Sequence, residues 1–97
     1  MSKGITRKSD VSTGHDSCPP VPWFSSVSAT VFANGKSFGI IGTQGSNHGC
    51  RNHSPHPPTI TAGSGSVFAT SKGVARCNDP CNCGDKVKQV SGDVFSA

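Results

Sequence analysis

Apolar residues in this chain come as short pairs set among Gly, Ser, Thr and Asn, without the 3.6-residue stripes of an amphipathic helix. The pairs are also copied. Ser28-Ala-Thr-Val-Phe-Ala33, Ser64-Gly-Ser-Val-Phe-Ala69 and Ser91-Gly-Asp-Val-Phe-Ser96 share one Ser-x-x-Val-Phe-small unit. Asn34-Gly35 and Lys36-Ser-Phe-Gly-Ile40 follow the first copy, and Thr70-Ser71 and Lys72-Gly-Val-Ala-Arg76 follow the second. The third copy stops at Ala97, and Lys3-Gly-Ile-Thr-Arg7 supplies its returning half by matching Lys72 to Arg76 in register. The pattern predicts three β-hairpins, the last closed by pairing the first residues with the final ones. Asn34-Gly35 suits a type I′ turn, where both residues need positive φ. Thr70-Ser71 suits it poorly, which predicts a different bend there. Three like units make a pseudo-threefold body, and a monomer of that shape fits the axis of a true trimer.

Composition points the same way. The 97 residues contain no Leu, no Glu and no Tyr, while Gly reaches 12. Two of the best helix formers are therefore missing, and an all-β domain over 1–97 with no helix is expected. Hydrophobic residues are only 32%, below the ~45–50% of ordinary globular chains. A short chain with so little core needs a disulfide, a metal or a partner to hold it together.

The formal charge of +4 is spread from Lys3 to Lys88, with no stripe of basic and aromatic residues, so nucleic acid is not an expected partner. No apolar run has signal-peptide or membrane-spanning length, which reads as a soluble chain made in a cytoplasm without cleavage.

Five cysteines are an odd number, and without an export signal this raises metal binding above a full disulfide framework. All four histidines fall between the hairpins, in phase with the repeat. His15 stands five residues after Asp10, His48 five after Thr43, and Cys83 four after Asp79. Equivalent loops of a pseudo-threefold body converge, which brings these three together. The longest connection holds His53 and His56, either of which supplies a fourth ligand. His56 is preferred because the prolines of Ser54-Pro-His-Pro-Pro58 stiffen its segment. Cys81 is the alternate to Cys83. Imidazole with thiolate suits a structural Zn²⁺, iron being the other candidate ion. Cys18, Cys50 and Cys77 read as small fillers or free thiols, with a Cys18–Cys50 disulfide left open. An enzyme is disfavoured, because a fourth protein ligand closes the position a catalytic zinc keeps for water, and no Glu serves as base. No small-molecule substrate is expected. A small zinc-containing binding module, for nucleic acid, is the alternative function.

These segments carry a resemblance. Gly4-Ile-Thr-Arg7, Ser37-Phe-Gly-Ile40 and Gly73-Val-Ala-Arg76 occupy the positions of the Pro-Ala-Ala-Arg signature of the PAAR-repeat proteins. Ser12-Thr-Gly-His15 with Pro19-Pro20, His48-Gly-Cys50 with Pro55-His-Pro57, and Asn78-Asp-Pro-Cys-Asn-Cys-Gly84 also resemble that family. No copy keeps the leading Pro, and the second lacks the Arg. Nearly the whole chain is similar to the small spike-tip proteins of T-even-type contractile phage tails. The resemblance implies a compact cone of three hairpins with structural zinc near its point, held by His15, His48, His56 and Cys83. It also implies a flat base that caps a trimeric β-helical spike, one copy per trimer, in a phage tail or a type VI-like secretion machine, at the tip of a virion's tail spike in the first case, where it meets the target cell envelope transiently. Neighbours on a strand point to opposite faces, so Val31, Val67 and Val94 would form one ring and Phe32, Phe68 and Phe95 another. Either ring serves as docking surface or as core.

Overall fold

The structure, a computed structural model, describes residues 3–14, 18–50 and 53–96, and the side chains of Cys50 and His53 lie outside that description. Among the described residues there is no helix; ten short strands form five antiparallel pairs. Three of these pairs are the expected hairpins. Strand β3 (Phe32–Ala33) pairs with β4 (Lys36–Ser37), β8 (Phe68–Ala69) with β9 (Lys72–Gly73), and β1 (Lys3–Gly4) with β10 (Phe95–Ser96). In register, Phe32 faces Ser37, Phe68 faces Gly73 and Phe95 faces Gly4. The four remaining strands, β2 (Trp23–Ser25) with β5 (Gln44–Gly45) and β6 (His48–Cys50) with β7 (His53–His56), belong to the connections.

The two continuous hairpins turn alike. Asn34 and Gly35 have φ of 55° and 77°, and Thr70 and Ser71 have φ of 54° and 66°. The expectation of a different bend at Thr70-Ser71 is thus corrected. A left-handed conformation costs an L-residue roughly 1–2 kcal/mol. It is held here partly because Thr70 Oγ1 hydrogen-bonds Ser28 Oγ at 2.9 Å. Asn34 makes the matching contact one unit on, its Oδ1 accepting from Ser91 Oγ at 2.7 Å.

The Ser that opens each repeat has a defined task. Buried Ser28, Ser64 and Ser91 each accept the backbone N–H of the Val three residues later, at 3.1, 3.0 and 3.0 Å. Their own N–H groups donate to the carbonyls of Phe38, Val74 and Ile5. A side-chain oxygen so placed closes the turn leading into each Val-Phe pair.

Threefold order is clearest on the axis. Thr6 N–H donates to Ala75 O at 3.1 Å, Ala75 N–H to Gly39 O at 2.8 Å, and Gly39 N–H back to Thr6 O at 2.9 Å. Lys8, Ile41 and Cys77 repeat the circle with the carbonyls of Ser37, Gly73 and Gly4. Beyond these rings the chain turns three times in the same way, with positive φ at Ser9, Gly42 and Asn78. The side chains of Asp10, Thr43 and Asp79 accept the N–H of Arg7, Ile40 and Arg76 at 3.0, 2.9 and 2.6 Å. Arg7 and Arg76 also form ion pairs with Asp10 and Asp79. The second unit drops both charges together, since a buried Asp without its Arg would be uncompensated.

Two apolar clusters stack along the body. Ile5, Ala33, Phe38, Ile40, Ala69 and Val74 fill the hairpin end, with Val31 and Val94 packed against them. Trp23, Ile60, Ala75, Cys81 and Val87 fill the other, with Cys83 and Val90 alongside. Trp23, Ile60 and Val87 occupy equivalent backbone slots, each N–H donating to the carbonyl of Asp10, Thr43 or Asp79. The backbone is threefold where the side chains are not. The molecule measures 36 × 26 × 21 Å along its principal axes, a tapered all-β cone.

Candidate metal centre

Beyond the Trp23 ring the three connections cross one another, as Thr13, Ser46 and Asn82 donate their N–H groups to the carbonyls of Lys86, Pro22 and Thr59. His48 lies two residues past Ser46 and Cys83 one past Asn82, so the phasing that aligned them in sequence is carried by the backbone. The longest connection folds back as the β6–β7 hairpin, in which His48 pairs opposite His56. Directly opposed residues share a face, and the two imidazoles meet edge to face with centroids 4.5 Å apart.

Each ring is oriented by a backbone carbonyl. His48 Nδ1 lies 2.8 Å from Pro19 O, and His56 Nδ1 lies 2.7 Å from Ser54 O. A carbonyl only accepts, so each Nδ1 carries the proton and each Nε2 presents a lone pair. The two Nε2 atoms face each other at 2.9 Å. Lone pairs opposed at that distance repel unless a shared proton or a metal ion lies against both. A carbonyl bonded to the remote nitrogen is also the usual outer partner of a metal-bound histidine.

Cys83 completes a group of three. The ligand atoms of His48, His56 and Cys83 all lie within 4.8 Å of one another, with His48 buried and the other two half-buried. Two imidazoles and a thiol fit a borderline-soft divalent ion, and a structural site takes a fourth ligand. His15 lies outside the described residues, as does the side chain of His53. Cys81 is not brought into the group. It sits in the adjoining apolar cluster, its N–H donating to Asp85 O at 2.8 Å. Burial, with Asp85 and Cys83 adding to it, pushes its thiol up to about 12.

Cys18 departs from its reading as a filler or free thiol, for it is disulfide-bonded, whereas Cys77, Cys81 and Cys83 are free. The pairing considered for it, with Cys50, lies outside the described side chains. Pro19 and Ser54, whose carbonyls set the tautomers, were invisible as functional residues because their contribution is made by the main chain. So was Asp85, buried and accepting from the hydroxyls of Ser12 and Thr13 at 2.8 and 3.0 Å, which ties the first connection to the third.

At the opposite end, where the hairpins turn, Phe32, Phe68 and Phe95 are 56%, 60% and 54% exposed. The small residues beside them, Ala33, Ala69 and Ser96, are buried. Val31 and Val94 are half-buried against the core, and Val67 is 37% exposed.

No curated protein matches the chain. A family model described as PAAR motif matches residues 24–89, a span that includes His48, His56 and Cys83.

Proposed function

The chain belongs to the PAAR-motif family, whose members are spike-tip proteins of contractile injection systems, and from that premise we propose that it caps the trimeric β-helical central spike of such a machine, a phage tail or a type VI-like apparatus. One copy closes one trimer and narrows its end, so that the spike meets the cell envelope as a point. The observation carrying this reading is the ring of Phe32, Phe68 and Phe95, three large apolar side chains more than half exposed at equivalent positions. A soluble monomer has no reason to repeat that exposure threefold unless a threefold partner covers it. The open strand ends of a β-helix are such a partner, since their unpaired edges need covering.

The other end carries the stiffening device. In this reading His48, His56 and Cys83, with His15 as the fourth ligand, hold one structural zinc that clamps the three connections together. When bound, the ion cross-links segments that the small apolar content secures weakly. The role is mechanical and not catalytic. The nucleic-acid alternative draws no support from the basic residues, several of which are engaged internally: Arg7 with Asp10 and Asn34, Arg76 with Asp79, Lys36 with Asp10.

Co-expression with trimeric β-helical spike proteins of contractile tails tests the proposal. Capping predicts a stable complex that Phe68→Asp abolishes while leaving the isolated chain as stable as before, because residue 68 is exposed. Retention of the variant at wild-type level would exclude the Phe ring as the docking surface.

A further inference from the structure

The metal centre requires that His48 keep its proton on Nδ1, and Pro19 supplies the carbonyl that holds it there, at 2.8 Å. Pro19 and Pro20 have no N–H, so neither can be fixed in place by donating a hydrogen bond, and both are exposed. Their neighbours fix them instead. Val21 on one side is buried, its N–H donating to Ser12 Oγ at 3.2 Å. Cys18 on the other side is 4% exposed and disulfide-bonded. The segment also closes tightly on itself, for a Cβ added at Gly14 would meet Cys18 O at 2.7 Å and Pro20 N at 3.0 Å.

We propose that the disulfide at Cys18 is a positioning element of the metal centre: it holds the Pro19 carbonyl against His48 Nδ1 and thereby keeps the lone pair of His48 Nε2 directed at the ion. The inference rests on His48, His56 and Cys83 being metal ligands, and assigns a task to a cysteine that does not itself touch the ion. Without the bond, the proline pair keeps its φ angles but loses its covalent stop. The carbonyl then leaves the ring, and the proton of His48 distributes over both nitrogens. Outer partners of this kind are worth about 10–100-fold in metal affinity.

Cobalt(II) is the probe, since its visible spectrum reports thiolate and imidazole ligation. The oxidised chain, the chain reduced with a phosphine, and Cys18→Ala are titrated in parallel. Circular dichroism follows the fold, and in the zinc-loaded forms ¹H–¹⁵N ring spectra report whether the His48 Nδ1–H is protected from exchange with water by its hydrogen bond. The expected result is one shared cobalt–thiolate spectrum at saturation, binding weaker by about 10–100-fold in the reduced and Cys18→Ala forms, and loss of the His48 Nδ1–H protection in both. Equal affinity with unchanged Nδ1–H protection overturns the positioning role and leaves the centre standing. A chain that takes no cobalt even when oxidised overturns the centre, and the inference with it. Failure of both altered forms to fold at saturating cobalt would mean that the bond serves the whole fold, which also rejects the positioning role.

Discussion

At the scale of single residues, the smallest side chains carry the tightest constraint. Thr6, Gly39 and Ala75 meet in the axial ring, and a Cβ at position 39 would stand 2.5 Å from Thr6 Cγ2. Overpacking of this kind costs about 1–3 kcal/mol. Gly39→Ala is therefore expected to lower the thermal midpoint measurably, whereas Gly65→Ala, at a position with open space around it, is not. An unchanged midpoint for Gly39→Ala would mean the axis is looser than it looks. The residues of the metal centre were readable individually, because His and Cys in a core-poor chain stand out. The groups that orient them were not. A Pro19 or Ser54 carbonyl leaves no mark on residue type, and the disulfide at Cys18 competed with an equally good reading as a buried thiol. Cys81 and Cys83 look alike in sequence and differ in burial, which packing around Val87 and Ile60 decides.

At the scale of elements, the repeated Val-Phe units gave the three hairpins and the pairing of residues 3–4 with 95–96. The second turn was misjudged. Its Thr70-Ser71 pair takes the positive-φ conformation that propensity assigns to Asn-Gly, held by the Thr70–Ser28 hydrogen bond and by neighbours that repeat the geometry. Exchanging the pair for the residues of the first turn should release that strain. Thr70→Asn with Ser71→Gly is expected to stabilise by about 1 kcal/mol, read as a higher midpoint in thermal denaturation. A loss of stability would show that the Thr70 hydroxyl outweighs the turn preference. The β6–β7 hairpin was not foreseen as strands at all. Prolines depress strand propensity, and Pro55 is tolerated in β7 because this two-stranded pair is all edge.

At the scale of the whole molecule, two ends with different chemistry are joined by a backbone of threefold hydrogen-bonded rings. One end exposes three phenylalanines, and the other gathers imidazole and thiol. The threefold axis was legible in the repeat and the cone in the family resemblance, whereas the choice of the Phe ring over the Val ring as the exposed one was not. Alternation separates the two sets, and only the packing of Val31 and Val94 against Ile5 and Phe38 assigns them to faces. Structural zinc sites contribute on the order of 10–16 kcal/mol at neutral pH, more than a core of this size supplies. A strong chelator is accordingly expected to unfold the isolated chain, seen as loss of the near-ultraviolet signal of buried Trp23. A chelated, metal-free chain that keeps this signal would remove the ion from the stabilising role. The most direct test of the account is X-ray absorption at the zinc edge of the purified, zinc-loaded protein. One zinc per chain with three nitrogen neighbours and one sulfur neighbour is the predicted first shell. A shell without sulfur, or one filled mainly by oxygen, would contradict the convergence of the three connections on a single ion.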